Sequence, residues 1–420
     1  MQDASTDYSK VERLAAEVQV SRDPRALWPD VSWESLGAEL VEIARVSRQV
    51  LSGRMTTLGP RAAAAVPRAF GVAAFVSGMG PMLGYWIANG LLDAGPLERT
   101  LLTRHHEHGR RRHALLEERL VALLGALRAQ AVVPIVLKGM DTARRYLPAP
   151  GTRTIGDIDI LVRPAEHDRV RAVLRSRGLI EKKGSGQPSR SEWFQPETRR
   201  IHSLELDHAE NPWAVDLHVT LDRCYHRGVV ASLGERAFDS VPWELAGHPV
   251  KALGQPTLTA WLAIHAGYGL EQLQLARLVE LIFVIRKDTR GGILRWDDLA
   301  ALLAETGTAR FAYPALALAE HLAPGTIPAQ VIDRAAEAAT SRARRVVAAI
   351  AASGSYRLLR RSLDDRLMWA RGPRQLLLLA SEIAWPAGLT GLAAVRRLYA
   401  RRIRAVVKRQ VTLRADSSAR

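Results

Sequence analysis

Residues Gly156 to Val162 read Gly-Asp-Ile-Asp-Ile-Leu-Val, an apolar, β-branched run interrupted by two acids one residue apart. Strand side chains alternate between faces, so Asp157 and Asp159 emerge together while Ile158, Ile160 and Val162 point into a core. Upstream, the apolar run Val132 to Leu137 predicts a short buried strand that ends in Lys138-Gly139 and leads into a helix over 141–146. Downstream, residues 213–221 alternate cleanly. Val215, Leu217, Val219 and Leu221 fall on one face, and Asp216, His218 and Thr220 on the other. Between these strands the pattern predicts a helix over 165–177 closed by Gly178, and then a loop over 182–189. A strand over 201–206 follows, joined to the Asp216 strand by a turn at Asn211-Pro212. Residues 11–127 and 257–408 carry helical periodicity rich in alanine and leucine. The expected fold class is α+β, mostly helical overall, with a small mixed β-sheet core flanked by N-terminal and C-terminal helical regions. The expected division is a helical region over 1–128, the α/β core over 129–225, a helical domain over 226–410 and a disordered tail over 411–420.

Two carboxylates side by side on one strand face repel each other unless a positive charge lies between them. Hard divalent cations meet that need, because they take carboxylate and phosphate oxygens. The plainer alternative is an edge strand whose charges discourage pairing with another strand. Asp216 adds a third acid on a second predicted strand, which turns a weak signal into a constellation. Lys138 and Arg153 read either as ordinary cations at a helix end and in a loop, or as partners for an anion. His218 shares a face with Asp216 and reads as a hydrogen-bonding histidine, whereas His265 lies on an apolar helix pattern and reads as core.

The succession Leu137-Lys138-Gly139, Tyr146, Pro150-Gly151-Thr152-Arg153, Gly156 to Val162 and Val215-Asp216-Leu217-His218 resembles the uncharacterised nucleotidyltransferases of the DNA polymerase beta superfamily. The likeness continues through Leu262-Ala263-Ile264-His265, Arg277-Leu278 and Arg295 to Leu299, and so spans about residues 105–390. It implies metal-dependent transfer of NMP from an NTP donor, ATP first among them, to a hydroxyl acceptor: a small molecule, a peptide natural product or a protein. By this resemblance Asp157 and Asp159 hold two Mg²⁺ ions (Mn²⁺ would serve the same sites) and Asp216 binds the metal at the acceptor. Such ions lie about 4 Å apart. Lys138, Gly139 and Arg153 would face the triphosphate, and the C-terminal helices would close the nucleotide cleft. One departure stands out. The wider superfamily has Gly-Ser at the first turn, whereas this chain has Lys138-Gly139-Met140, with no hydroxyl before Thr142. The alternative it raises is a catalytically degenerate protein that binds nucleotide and regulates.

Composition sharpens the picture in three places. The single cysteine, Cys224, allows no internal disulfide, and the polar N-terminus lacks a signal-peptide layout, so the cytoplasm is the expected location. Residues 69–92 carry no charge, but glycines and Gly80-Pro81 interrupt them, which predicts two buried helices broken there, the second over 81–92. The net charge of +16 is concentrated in the C-terminal fifth. An Arg-rich amphipathic helix through Arg396 to Arg409 offers a second alternative, peripheral contact with a membrane surface or RNA. Few aromatics interleave those charges, so nucleic acid is not the favoured partner. The basic stretch 104–113, with His105 and His108 three apart, has no acid or cysteine at ligand spacing and reads as solvated.

Overall fold

The computed structural model describes residues 28, 30–59, 67–182, 189–196, 206–226, 228–270, 273–358, 367–384 and 400. The N-terminal part contains α1 (Trp33–Leu51), α2 (Pro67–Val76), α3 (Gly80–Ala88) and the long α4 (Pro96–Arg128). Strands β1 (Thr56–Thr57) and β2 (Leu92–Asp93) form a short parallel pair within it. The uncharged stretch does fold as two helices, with axes bent by 104°. The break falls at residues 77–79, and Gly80-Pro81 opens the second helix instead of dividing it. Proline suits a first helical turn because that N–H has no intrahelical partner anyway. The second helix stops at Ala88, short of the expected Leu92, because Leu92 and Asp93 pair with β1. Among the described residues no single helix is long and apolar enough to cross a membrane.

The core begins with β3 (Ile135–Val136), α5 (Met140–Arg145) and β4 (Asp157–Leu161). There follow α6 (His167–Ser176), β5 (Ile180–Glu181), β6 (Arg190–Phe194) and β7 (Ala214–His218). β3 is shorter than its apolar run, since Pro134 has no N–H to give a ladder. After a separate hairpin of β8 (Arg223–His226) and β9 (Val229–Ala231) come β10 (Ser240–Leu245) and β11 (His248–Leu253). Seven of these strands form one mixed sheet in the order β10-β11-β3-β4-β7-β6-β5. Two of them, β10 and β11, come from chain beyond the 129–225 span expected for the α/β core. The antiparallel neighbour of β7 is β6. Residues 201–205, which hold most of the strand expected over 201–206, lie outside the described residues, as do 183–188 of the expected loop.

Ile158, Ile160, Val215, Leu217 and Trp193 are wholly buried on one face of β4, β7 and β6. Each such side chain contributes about 1.5–3 kcal/mol by leaving water, enough together to hold the acid-bearing strands despite their charges. α4 lies against β4 and β11. The C-terminal part is α7 (Thr257–Gly267), α8 (Leu275–Arg290), α9 (Trp296–Glu305), α10 (Ala309–Leu322), α11 (Ala329–Ala338), α12 (Ser341–Ser353) and α13 (Gly372–Ala384). Every residue of α7 is buried, as befits a helix that is apolar all round. It packs between α8 and α10 and so anchors the helices nearest the sheet.

Candidate functional site

The site grows from the parallel pairing of β4 and β7, which sets Asp159 beside Asp216 and Asp157 beside Ala214. In-register neighbours share a face, so all three acids project from the same side, with His218 one step along. The carboxylates are not bare. Asp159 receives Lys138 Nζ at 2.7 Å on Oδ2 and lies 3.2 Å from His218 Nε2 through Oδ1. Asp216 is paired with Arg190, the first residue of β6. Asp157 is half-buried and close enough to act electrostatically on Asp216, Arg190 and Arg277.

These surroundings drive the two buried acids apart. Burial pushes the Asp159 carboxyl up, but the Lys138 ammonium and His218 more than offset it and hold it well below the usual carboxylate range. Asp216 goes the other way. Burial, together with the charges of Asp159 and Asp157, pushes it up to about 7 against the pull of Arg190 and Lys138. Burial lowers His218 in spite of its contact with Asp159, which keeps the imidazole neutral. His265, fully buried on α7, is lowered well below its ordinary value by burial and by the charges of Lys138, Arg277, Arg223 and Arg153.

Opposite the acids lies a cluster of cations. Gly139 adopts φ +79°, and a Cβ there would lie 3.3 Å from Arg153 Nη1, so glycine suits both the backbone conformation and the closeness of the Arg153 guanidinium. Arg153 pairs with Glu280 of α8 at 3.0 Å. Glu280 also accepts from the Thr142 hydroxyl, which in turn accepts the Gly139 N–H at 3.2 Å. That hydroxyl is therefore committed to Glu280 and Gly139. Arg277 and Arg223, both partly buried, make no ion pair with an acid among the described residues, and the Nε of Arg277 is buried without a hydrogen-bond partner. Burial and the neighbouring charges of Arg153 and Arg223 bring Arg277 down to about 10. Burial and Arg190 lower Arg223 as well, and its guanidinium rests over the Tyr268 ring. Cations that depress one another in this way concentrate positive charge that an anion would relieve.

Sequence reasoning gathered Asp157, Asp159, Asp216, Lys138, Gly139 and Arg153, and the structure brings all six to one region. It missed the local roles of Arg190, Arg223, Arg277 and Glu280. Alternation exposes acids in an apolar strand, but no local pattern marks which of 59 lysines and arginines turns inward. The basic stretch 104–113 is also split, since His105, Arg112 and His113 are buried and not solvated. It gains a neighbour as well: His108, His208 and Glu210 offer ligand atoms within 4.8 Å of one another. His108 Nδ1 already accepts the Ala209 N–H at 3.1 Å, so hydrogen bonding accounts for its place. The Arg-rich segment 396–409 lies outside the described residues, Ala400 apart.

Asp159, Asp216 and His218 likewise offer ligand atoms within 4.8 Å of one another. Two acid oxygens already matched to cations, one of them on an acid raised by like charge, form a donor set that fits a divalent metal. No match is found among curated proteins or among solved structures. A family model described as uncharacterised nucleotidyltransferase matches residues 72–324, which take in α4, the whole sheet and the helices through α10. The chain therefore belongs to the uncharacterised nucleotidyltransferase family, whose general activity is nucleotidyl transfer.

Proposed function

We propose that this protein transfers NMP from an NTP, ATP first among them, to a hydroxyl acceptor, and that Asp157, Asp159 and Asp216 hold two Mg²⁺ ions. One observation carries the reading: Asp159 and Asp216 stand in register on one face within a group of five cations, two of which, Lys138 and Arg190, pair with them. Divalent metal in this position supplies the charge that stabilises the attacking and leaving oxygens of an in-line displacement. The remaining work falls to the chain. Lys138, Arg153, Arg190, Arg223 and Arg277 bind the triphosphate and orient its leaving group, and the guanidinium forks match phosphate oxygens. Asp216, in register beside Asp159, stands on the face where it can accept a proton from the acceptor hydroxyl. His218 orients Asp159 through their hydrogen bond. Among acceptors, a peptide natural product is the slightly favoured class.

Calorimetry with each NTP, with and without Mg²⁺, tests the reading on wild type and on Asp157→Asn/Asp159→Asn. Metal-dependent binding in the wild type that is lost in a folded double variant is the expected result, with turnover lowered about 100- to 1,000-fold or more. Wild-type turnover that survives both changes would sink it. A second reading has its own observation. The Thr142 hydroxyl is engaged by Glu280, so it does not replace the serine missing after Lys138-Gly139. A nucleotide-binding regulator without turnover is then the alternative, recognised by tight NTP binding with no pyrophosphate released across a broad set of acceptors.

A further inference from the structure

We infer that Arg112 is the positioning residue that sets where the two acid-bearing strands begin, an inference that rests on the metal-dependent transfer proposed above. Arg112 is 3% exposed and lies within α4, in a stretch that reads as surface. Its guanidinium donates through Nε to the Ile155 carbonyl at 3.2 Å and through Nη2 to the Gly156 carbonyl at 2.9 Å. Nη1 donates to the carbonyls of Ala209, at 3.3 Å, and of Asn211, while Nη2 also reaches that of Pro212 at 2.8 Å. Five bonds match the five N–H groups a guanidinium owns. The first two acceptors lead directly into Asp157 on β4. The other three lead into β7, towards Asp216.

The reason a single side chain matters here is topological. β4 and β7 are parallel, so no tight turn can fix their register, and the connection runs through α6, β5 and β6. A slip of one residue would turn Asp216 to the opposite face. Arg112 ties both approaches to one point on a 33-residue helix. The helix is itself pressed close, since a Cβ on Gly109 would lie 2.4 Å from the Gly151 carbonyl oxygen, in the loop that carries Arg153. Lysine keeps the charge, but its three donors on one nitrogen cannot reach all five carbonyls that the guanidinium fork holds.

The test uses the full chain carrying Arg112→Lys, with two readouts. Hydrogen–deuterium exchange without metal should accelerate over residues 155–161 and 206–218 while α7 to α10 keep their protection. Mn²⁺ binding, followed by electron paramagnetic resonance, should weaken about 10- to 100-fold, as expected when support behind a ligand is lost. Arg144→Lys, a change in an exposed arginine paired with Glu117, should move neither. Wild-type exchange in both segments together with wild-type Mn²⁺ affinity would overturn the inference. A wild type that binds no Mn²⁺ would defeat the metal reading instead, and the exchange pattern would still judge Arg112. If Arg112→Lys does not fold, Arg112→Ala is refolded with millimolar guanidinium, which fills the vacated space. Slow exchange regained in both segments supports the role, and its absence counts against it.

Discussion

Asp216 sits beside Asp159 across two parallel strands, and the cost of that closeness is written into its protonation. Its carboxyl is held near 7 in the fold against about 3.9 in an unfolded chain. A group raised on folding contributes stability below its unfolded value and loses it as pH climbs through the folded one. The contribution of Asp216 in metal-free protein should therefore fall between pH 6 and pH 8, read as the difference from Asp216→Asn, which should be about 1–3 kcal/mol more stable than the wild type at pH 8. Asp141, raised to about 6 by burial against the pull of Arg145, has the same sign but acts lower, whereas His218 and His265, lowered by burial, act with the opposite sign near pH 6.5, which is why the comparison is made against Asp216→Asn. Asp159 is lowered, and its contribution is lost only on acidification below the ordinary carboxylate range. Thermal melts in EDTA across this range check the prediction, and added Mn²⁺ should raise Tm more at pH 8 than at pH 6. Arg277 makes the complementary case. With a buried Nε and no acid partner among the described residues, Arg277 is expected to tolerate Arg277→Gln without loss of folding, the variant raising KM for NTP about 10- to 100-fold. An unchanged KM in steady-state kinetics would remove it from the triphosphate side.

At the scale of elements, the glycines of the uncharged stretch have a measurable purpose. A Cβ on Gly84 would lie 2.2 Å from the Leu102 carbonyl oxygen, and one on Gly80 would lie 2.3 Å from the His105 ring. These residues let α3 and α4 cross with backbones nearly in contact. Gly84→Ala should thus destabilise the protein by about 1–3 kcal/mol, although alanine favours a helix interior by about 1 kcal/mol. Urea denaturation reads the sign directly, because propensity alone predicts a gain. The same scale explains what hydropathy made legible. Period-two alternation located β4 and β7, and Gly178, at φ +77°, marked the end of α6 as expected. β10 escaped because Pro242 and several exposed side chains hide its pattern at the sheet edge. β6 escaped because charged and aromatic residues share its five positions.

For the whole molecule, the acid side of the site could be read from local spacing, and of the cation side only Lys138 and Arg153, through the family resemblance. Asp157, Asp159 and Asp216 stand out because carboxylates are rare within apolar strands. Arg112 and Arg190 are set apart only by partners distant in sequence, Arg223 and Arg277 only by burial in the fold, and an Arg-rich surface masks all four. The long reach also explains why Glu280 was missed. It sits in the apolar pattern of α8, and only the folded chain brings it to Arg153 and Thr142.

The guanidinium that reaches from α4 to both strand approaches, and the glutamate that reaches back from α8, make the site indivisible. An excised fragment spanning only the α/β segment would keep all three acids yet lack Arg112, Glu280 and Arg277. Such a centre cannot be transplanted as a cassette, and recombination that joins this sheet to foreign helices would inherit its acids without its chemistry.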